Sequence, residues 1–518
     1  LLQTILFKSK ERLAGTSPAA KHIDQPSIFH ELIHVRGCVS SENSGTRLDV
    51  SCKLRIMQTS HQLQRAKRLS VLACNPRREF KLVARFAQAP TSKRDRDMKI
   101  CVLGAGVIGL TTAWWLAEAG HDVTIIDRHE AAAAGASAAN GGQLSYTFVT
   151  PLASPATLLK LPSLLMLRDG PIRIRAGFDP ALVHWGARFL LACRSGVVRE
   201  TISAQLTLAA LSRVELERLN QAMGLVFGLK TAGKLVVYRT ETEFNSARAA
   251  ISVDSDINLE QRVLTPTECL ALEPALRLAT RDLAGGIFTA SEQVGDCAAF
   301  CIELSRRTKQ RNNIAWSLRT QIIGPVRSSG RLVAVETDNG HVQADCFVLC
   351  LGSQSRTFAR ACGFYLPIYP LKGYSITLTA EPGARALRHS ITDFERKLVF
   401  APLAVDGQPV VRVAGIADFE GDDTTVDPSR IDILQRAAAE VLGMTATGDV
   451  RPWCGLRPTT PDSRPIIGWS PLQGLFINSG HGMLGWTLAC GSAKLTADLV
   501  DRKPVGIEAG AFAVRRSA

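Results

Sequence analysis

Residues 98–128 read MKICVLGAGVIGLTTAWWLAEAGHDVTIIDR. Lys99 to Leu103 has the apolar, β-branched character of a buried strand, Gly104-Ala105-Gly106-Val107-Ile108-Gly109 is a turn, and Leu110 to Ala119 is helix-forming until Gly120 stops it. Val123 to Ile126 is a second strand that ends at Asp127. Each glycine has a separate task. Gly104 permits the tight turn, Gly106 lets a pyrophosphate approach the backbone of Val107 and Ile108, and Gly109 lets helix and strand pack closely. The helix N-terminus then offers free N–H groups and a positive dipole end to the phosphates. Asp127 follows Gly104 by 23 residues, near the ~20-residue offset of an acid that hydrogen-bonds an adenosine ribose; Arg128 stands beside it. The unit predicts a dinucleotide site on a Rossmann-like sheet. It does not distinguish NAD from FAD, which share the adenosine diphosphate half.

Working outward, Gly135-Ala136-Ser137-Ala138-Ala139-Asn140-Gly141-Gly142-Gln143 is a loop of small, hydrogen-bonding residues suited to lie against a flat ring or a phosphate. A second unit begins at Gly295-Asp296 with a helix expected through Lys309. Strand-like runs then flank Asn339-Gly340 (332–336 and 341–344), and a strand from Phe347 ends at Gly352. A third unit closes the chain: a strand at 475–478, the loop Gly480-His481-Gly482-Met483-Leu484-Gly485, and a helix from about Trp486 to Val500. A helix N-terminus there stabilises negative charge. Glycine-marked turns spread over some four hundred residues predict an α/β fold, α+β overall. Its nucleotide domain is discontinuous (98–150, 286–360 and 451–505), a mixed-sheet substrate domain is inserted (151–285 and 361–450), and 506–518 is a tail.

The 518 residues include 61 Lys+Arg and 47 Asp+Glu, a net charge of +14, of which residues 1–97 carry +10 and residues 98–518 only +4. That distribution argues against a nucleic-acid-binding globular domain, and no nucleic-acid partner is expected. The leading segment holds three of the 41 glycines, lacks sustained hydrophobic periodicity and ends in the charged run Lys93-Arg94-Asp95-Arg96-Asp97. It is expected to be a poorly structured basic extension that is not native to the protein, whose start is read at Met98; a targeting peptide and an anion-binding arm are the competing readings. No apolar run reaches the ~20 residues that cross a bilayer. Leu158 to Leu167 (LLKLPSLLML) is the most membrane-like stretch, read first as core and second as a peripheral attachment. The 13 cysteines form no C-x-x-C pair, so no metal site is expected and the compartment reads as reducing and cytoplasmic.

The stretches 98–128, SAANGGQ (137–143), YPLKGYSIT (369–377), GLRPTTPDSRPIIG (455–468) and SGHGMLGWTLACGSAKLTADL (479–499) resemble the small-subunit type of D-amino-acid dehydrogenase. That family sits among the FAD-dependent amine oxidoreductases that include D-amino-acid oxidase, glycine oxidase and sarcosine oxidase. The resemblance spans about 98–505. It implies noncovalent FAD contacted by Gly104, Gly106, Val107, Ile108, Gly109, Asp127 and Arg128, by Ser137, Asn140, Gly141, Gly142 and Gly352, and by Gly482, Met483, Leu484 and Gly485. It also implies oxidative deamination of D-amino acids to 2-oxo acids and ammonia by hydride transfer from the α-carbon to flavin N5. Electrons would pass to a respiratory, quinone-type acceptor at the cytoplasmic face of the inner membrane; an oxygen-using oxidase is the alternative.

Arg457 matches the arginine that clamps the substrate carboxylate, a role suited to a guanidinium fork. Tyr374 is a second candidate over the site, with a core tyrosine as the competing reading. His481 reads as a loop residue touching the cofactor rather than a base. Cys454 raises a covalent flavin thioether, which the surrounding motif disfavours. SYTFVTPLASP (145–155) departs from the family's more Gly- and Ala-rich stretch containing a tryptophan. If this segment lines the pocket, it bears on substrate range.

Overall fold

Strand Lys99–Leu103 lies at the middle of a six-stranded sheet because four of its five side chains are buried, the pattern of a strand covered on both faces. The computed structural model describes residues 97–514 apart from 160–169, 176–177, 254–260, 279–281, 380–385 and 445–449, together with three short strands, Ile33–His34, Leu69–Leu72 and Lys81–Ala84. Those three strands form an antiparallel sheet. The rest of the leading segment, and with it the expected poorly structured extension, lies outside the described residues, as does most of the apolar run at 158–167.

The six-stranded sheet runs Ile314–Ser317, Asp122–Ile126, Lys99–Leu103, Cys346–Leu349, Leu475–Ser479 and Ile466–Trp469. All pairings are parallel except the last. Five of these strands come from the three glycine-marked units, which are far apart in sequence and adjacent in the sheet. One face packs against helices Val107–Glu118, Cys297–Thr308 and Gly485–Val500 through Trp114, Phe300 and Leu488. The other face packs Leu103, Phe347 and Ile477 against Leu332 and Val335 of a small three-stranded sheet. That sheet contains the expected hairpin, Arg331–Thr337 with Gly340–Gln343, and a third strand, Ile322–Ser328. The long helix Ser195–Met223, ended by Gly224 in the left-handed region, packs on helix Gly485–Val500.

The second sheet is mixed and nine-stranded. Its order is Arg451–Thr459, Tyr369–Thr379, Gln408–Phe419, Leu398–Val405, Ser390–Asp393, Lys234–Tyr238, Gly285–Thr289 and Gln261–Leu264, with Ile172–Ile174 beside Gln408–Phe419. Two expected boundaries are corrected here. The strands Gly285–Thr289 and Arg451–Thr459 both belong to this sheet, so the nucleotide segments begin later than 286 and 451. Both stretches carry apolar runs that fit either sheet, and only pairing assigns them.

Helix Pro428–Leu442 covers one face of the second sheet, packing Leu434, Ala438 and Val441 against Ile376, Val413 and Val237. Because side chains alternate along a strand, the other face is left to line a cavity between the two sheets.

Candidate active site

The turn after strand Lys99–Leu103 is built for close backbone approach. Gly104 has φ +107°, and a Cβ at Gly109 would lie 1.8 Å from the Gly104 carbonyl oxygen, so the helix start and the strand end cannot accept a side chain between them. Gly109 therefore sets packing and does not face the cavity. Gly106 caps the helix without a side-chain hydrogen bond. The Val107 N–H donates to Ser137 Oγ at 3.1 Å. Asp127 Oδ2 accepts from the Ala105 N–H at 2.7 Å and Oδ1 from the His129 N–H at 2.9 Å, which fixes the carboxylate at the strand end while Oδ2 keeps a lone pair for a ribose hydroxyl. Thr320 to Ile323 complete this end of the cavity; no sequence motif marked them.

The loop from Ala139 to Phe148 crosses the second sheet from strand to strand. Ser375 Oγ donates to the Ala139 carbonyl at 2.7 Å, Arg412 to the Asn140 carbonyl at 3.3 Å, and Gln143 Nε2 to the Ile391 carbonyl at 3.2 Å. Asn140 Oδ1 also accepts from the Gly142 N–H at 3.0 Å, the side-chain turn that makes asparagine suitable before two glycines. The loop thus joins the nucleotide end of the cavity to the sheet.

Arg457 enters at the opposite end. A bulge between Lys372 and Tyr374 breaks the ladder to strand Gln408–Phe419, where Ile416 has φ +58°. Arg457 uses carbonyls at this irregularity, Nη1 donating to Ile416 O at 2.8 Å and Nη2 to Gly415 O at 3.0 Å. Bulges commonly re-aim groups next to active sites. Opposite the guanidinium is Gly373, where a Cβ would come 2.3 Å from Arg457 Cζ; the missing side chain is the space the guanidinium occupies. Among the described residues Arg457 has no carboxylate partner within ion-pair distance, and burial pushes its pKa down to about 10 against the pull of Asp418. Two of its five N–H donors are used on carbonyls, and three remain for a ligand. A half-buried cation held by neutral groups is arranged to receive an anion.

These residues surround one cavity of about 1200 Å³, above the ~300–1,000 Å³ of pockets for drug-sized ligands and roomy enough for a dinucleotide with a small molecule beside it. The family model for FAD dependent oxidoreductases matches residues 99–499. The chain belongs to that family. Its most similar relatives include D-amino acid dehydrogenase 2 of Ralstonia nicotianae, 39% identical over 81% of this chain and all of the relative. Another is D-amino acid dehydrogenase of Paramagnetospirillum magneticum, 38% identical over 81% and 99%. Among solved structures, glycine oxidase from Geobacillus kaustophilus superposes with a TM-score of 0.64 at 22% identity, covering 82% of this chain and all of that one. L-proline dehydrogenase from P. horikoshii gives 0.61 at 16% identity over 81% and 97%. At those identities the structures establish the shared fold.

As in other members of the family the cofactor is FAD, held noncovalently, and the residues present fit it. The uncapped helix at Gly106, the Asp127 carboxylate and the crossing loop suit its adenosine and ring portions. The loop Gly482–Leu484 leads into helix Gly485–Val500, whose N-terminus also lacks a side-chain cap. Beside it His481 is buried, with neither ring nitrogen paired among the described residues, and burial holds its pKa down to about 3. A neutral imidazole with open hydrogen-bonding positions at the cavity wall suits a bound cofactor or substrate and does not suit a cationic role.

Every site residue expected from the sequence lines the cavity except Gly109, but Tyr374 does not offer its hydroxyl there. Its ring packs on the helix side of the sheet with Ile376 and Cys454. The hydroxyl donates to Asp418 at 3.1 Å, and Asp418 is paired in turn with Arg430 and Arg173. Tyr374 therefore borders the cavity with its ring in the core and its hydroxyl committed to Asp418, which corrects the expected catalytic role. Tyr374→Phe is expected to change kcat/KM by less than about threefold and to lower stability by about 1 kcal/mol, the net worth of a hydrogen bond, measured by steady-state kinetics and urea unfolding.

Cys454 faces the same way. Its thiol donates to the Thr424 carbonyl at 3.0 Å, and burial raises its pKa. A protonated, engaged thiol is a poor partner for a flavin thioether. Cys454→Ala is expected to keep its full flavin content, and acid precipitation of the unaltered protein to release all of its flavin into the supernatant.

Proposed function

We propose that the chain catalyses FAD-dependent oxidative deamination of D-amino acids to 2-oxo acids and ammonia, with the electrons passing to a quinone-type respiratory acceptor. The single observation that carries the substrate class is Arg457, a half-buried guanidinium that lines the dinucleotide cavity and has no carboxylate partner within ion-pair distance among the described residues. The D configuration is supported by the relatives at 35–39% identity over nearly their full lengths. The fold alone does not decide it, since the solved neighbours include enzymes named for glycine and for L-amino acids.

Arg457 binds the α-carboxylate in a two-pronged grip, which fixes the orientation of the α-carbon against the cofactor and replaces a random encounter by an aligned one. When bound, FAD supplies the two-electron acceptor for the α-hydrogen. The resulting imino acid adds water and loses ammonia. No acid or base side chain is required, because the amine lone pair assists departure of the hydride.

Among the described residues no helix is long and apolar enough to cross a membrane, so a membrane-bound acceptor would be met at the surface. The experiment that tests the acceptor compares D-alanine oxidation under air with oxidation under nitrogen plus a water-soluble short-chain quinone. The proposal expects fast anaerobic quinone reduction and little peroxide in air; stoichiometric peroxide at a comparable rate would favour an oxidase.

A further inference from the structure

A second cation, this one buried, faces the same cavity. Lys234 opens strand Lys234–Tyr238, and alternation gives Leu235 and Val237 to the core beneath helix Pro428–Leu442 while Lys234 lines the cavity. The residue is 5% exposed. Its ammonium donates to Ser145 Oγ at 2.6 Å and sits 4.4 Å from the centre of the Phe148 ring. Among the described residues it has no ion-pair partner. The closest acid felt there, Glu292, spends its carboxylate on the Tyr146 and Thr147 N–H groups, both at 2.8 Å, and on the Thr147 hydroxyl at 2.6 Å. Desolvation lowers the Lys234 pKa to about 8, which leaves most of it charged at neutral pH. An ammonium has three N–H donors, and one is used.

We infer that Lys234 forms the far end of the substrate side-chain pocket and recognises a carboxylate at the tip of that side chain, making acidic D-amino acids a preferred substrate class. The inference rests on the proposed function, since it needs the α-carboxylate at Arg457. The span fits. The Lys234 strand lies three strands beyond the Gly415 and Ile416 carbonyls that hold Arg457, and Lys234 stands three residues along from Val237, which the register places in line with Gly415; at ~4.8 Å per strand and ~3.4 Å per residue the two backbone positions are about 18 Å apart. Two carboxylate–cation contacts of roughly 4 Å each, joined by a side chain of glutamate length and met by the lysine stem, cover that distance; a side chain of alanine length leaves Lys234 untouched. The wall around Lys234 contains Gln143, Val399 and Thr392 together with the acids Glu243, Asp393 and Glu395; Asp393 is paired with Arg239, and Glu395 accepts from the Arg239 and Thr240 N–H groups. Ser145 and Phe148, which position Lys234, belong to the segment that follows the crossing loop.

The test measures kcat/KM for D-glutamate, D-2-aminoadipate and D-alanine with an artificial dye acceptor, for the holoenzyme and its Lys234→Met variant at equal flavin content. Removing one charge-assisted hydrogen bond is expected to lower kcat/KM for both acidic substrates at least tenfold and to leave D-alanine within threefold. In the unaltered enzyme, glutarate is expected to inhibit D-alanine oxidation at least tenfold more strongly than pentanoate, which has the same length and one carboxylate, and this comparison needs no variant. D-alanine turnover with equal inhibition by the two acids, or acidic substrates indifferent to Lys234→Met, would overturn the inference and leave the proposed function standing. Absence of turnover with every D-amino acid would remove both.

Discussion

Replacing Arg457 by alanine is expected to lower kcat/KM for D-amino acids by two to three orders of magnitude while the purified protein stays yellow. The size follows from what the guanidinium does: truncating one partner of a buried, hydrogen-bonded charge pair costs about 2–5 kcal/mol, and about 1.4 kcal/mol is a factor of ten. Most of the effect is expected in KM, because the guanidinium grips a carboxylate that is present in both substrate and transition state. Flavin content is expected to be unchanged, since the nucleotide-binding turn lies on the other sheet. Arg457→Lys is expected to recover only part of the activity. A lysine keeps the charge and lacks the two-pronged geometry, and it cannot donate to the Ile416 and Gly415 carbonyls while also gripping a carboxylate with a planar fork. Steady-state kinetics beside the absorbance ratio of flavin to protein separate these outcomes. An Arg457→Ala enzyme with unchanged kinetics would remove the residue from the site.

The second large effect is expected at Gly109. Alanine there would place a methyl group 1.8 Å from the Gly104 carbonyl oxygen. Atoms do not approach that closely without a bond, so helix Val107–Glu118 must shift away from the strand it follows. The displaced atoms are backbone on both sides, which rules out relief by a rotamer change. Gly109→Ala is therefore expected to yield colourless protein, with flavin occupancy below about a tenth and stability reduced by about 3 kcal/mol or more, in the range of severe overpacking. Absorbance at the flavin bands and a chemical unfolding curve report the two consequences separately. The contrast with Arg457→Ala is diagnostic: one variant is expected to keep cofactor and lose substrate, the other to lose cofactor.

Much of this architecture was legible in the sequence because the nucleotide turn uses residue types for which few substitutes exist. Gly104, Gly106, Gly109 and Asp127 stand at spacings that only a strand, a tight turn and a helix satisfy together, and the helices near 297 and 485 were bounded by Asp296 and by the glycine-rich loop at 480–485. The sheet assignment of Arg451–Thr459 was not legible. An isolated strand carries no mark of its partner, and the motif's place among nucleotide segments suggested the wrong one. Tyr374 was misplaced for a related reason: its strand runs in unbroken register with Arg451–Thr459, and nothing in Lys372-Gly373-Tyr374 marks which face of that strand a helix covers. Gly373 and Lys234 were passed over because their meaning is spatial: one is the space left for Arg457, and the other is a lysine in an otherwise apolar strand whose burial only pairing reveals.

The central claim is that one cavity joins FAD to a carboxylate clamp for D-amino acids. Its most direct test is the anaerobic absorbance spectrum of the full-length holoenzyme before and after a mixture of D-amino acids, set against the same experiment with the L mixture. Bleaching of the flavin bands by the D set alone is the expected result. Flavin bands that persist with the D set, or that bleach equally with the L set, would contradict it.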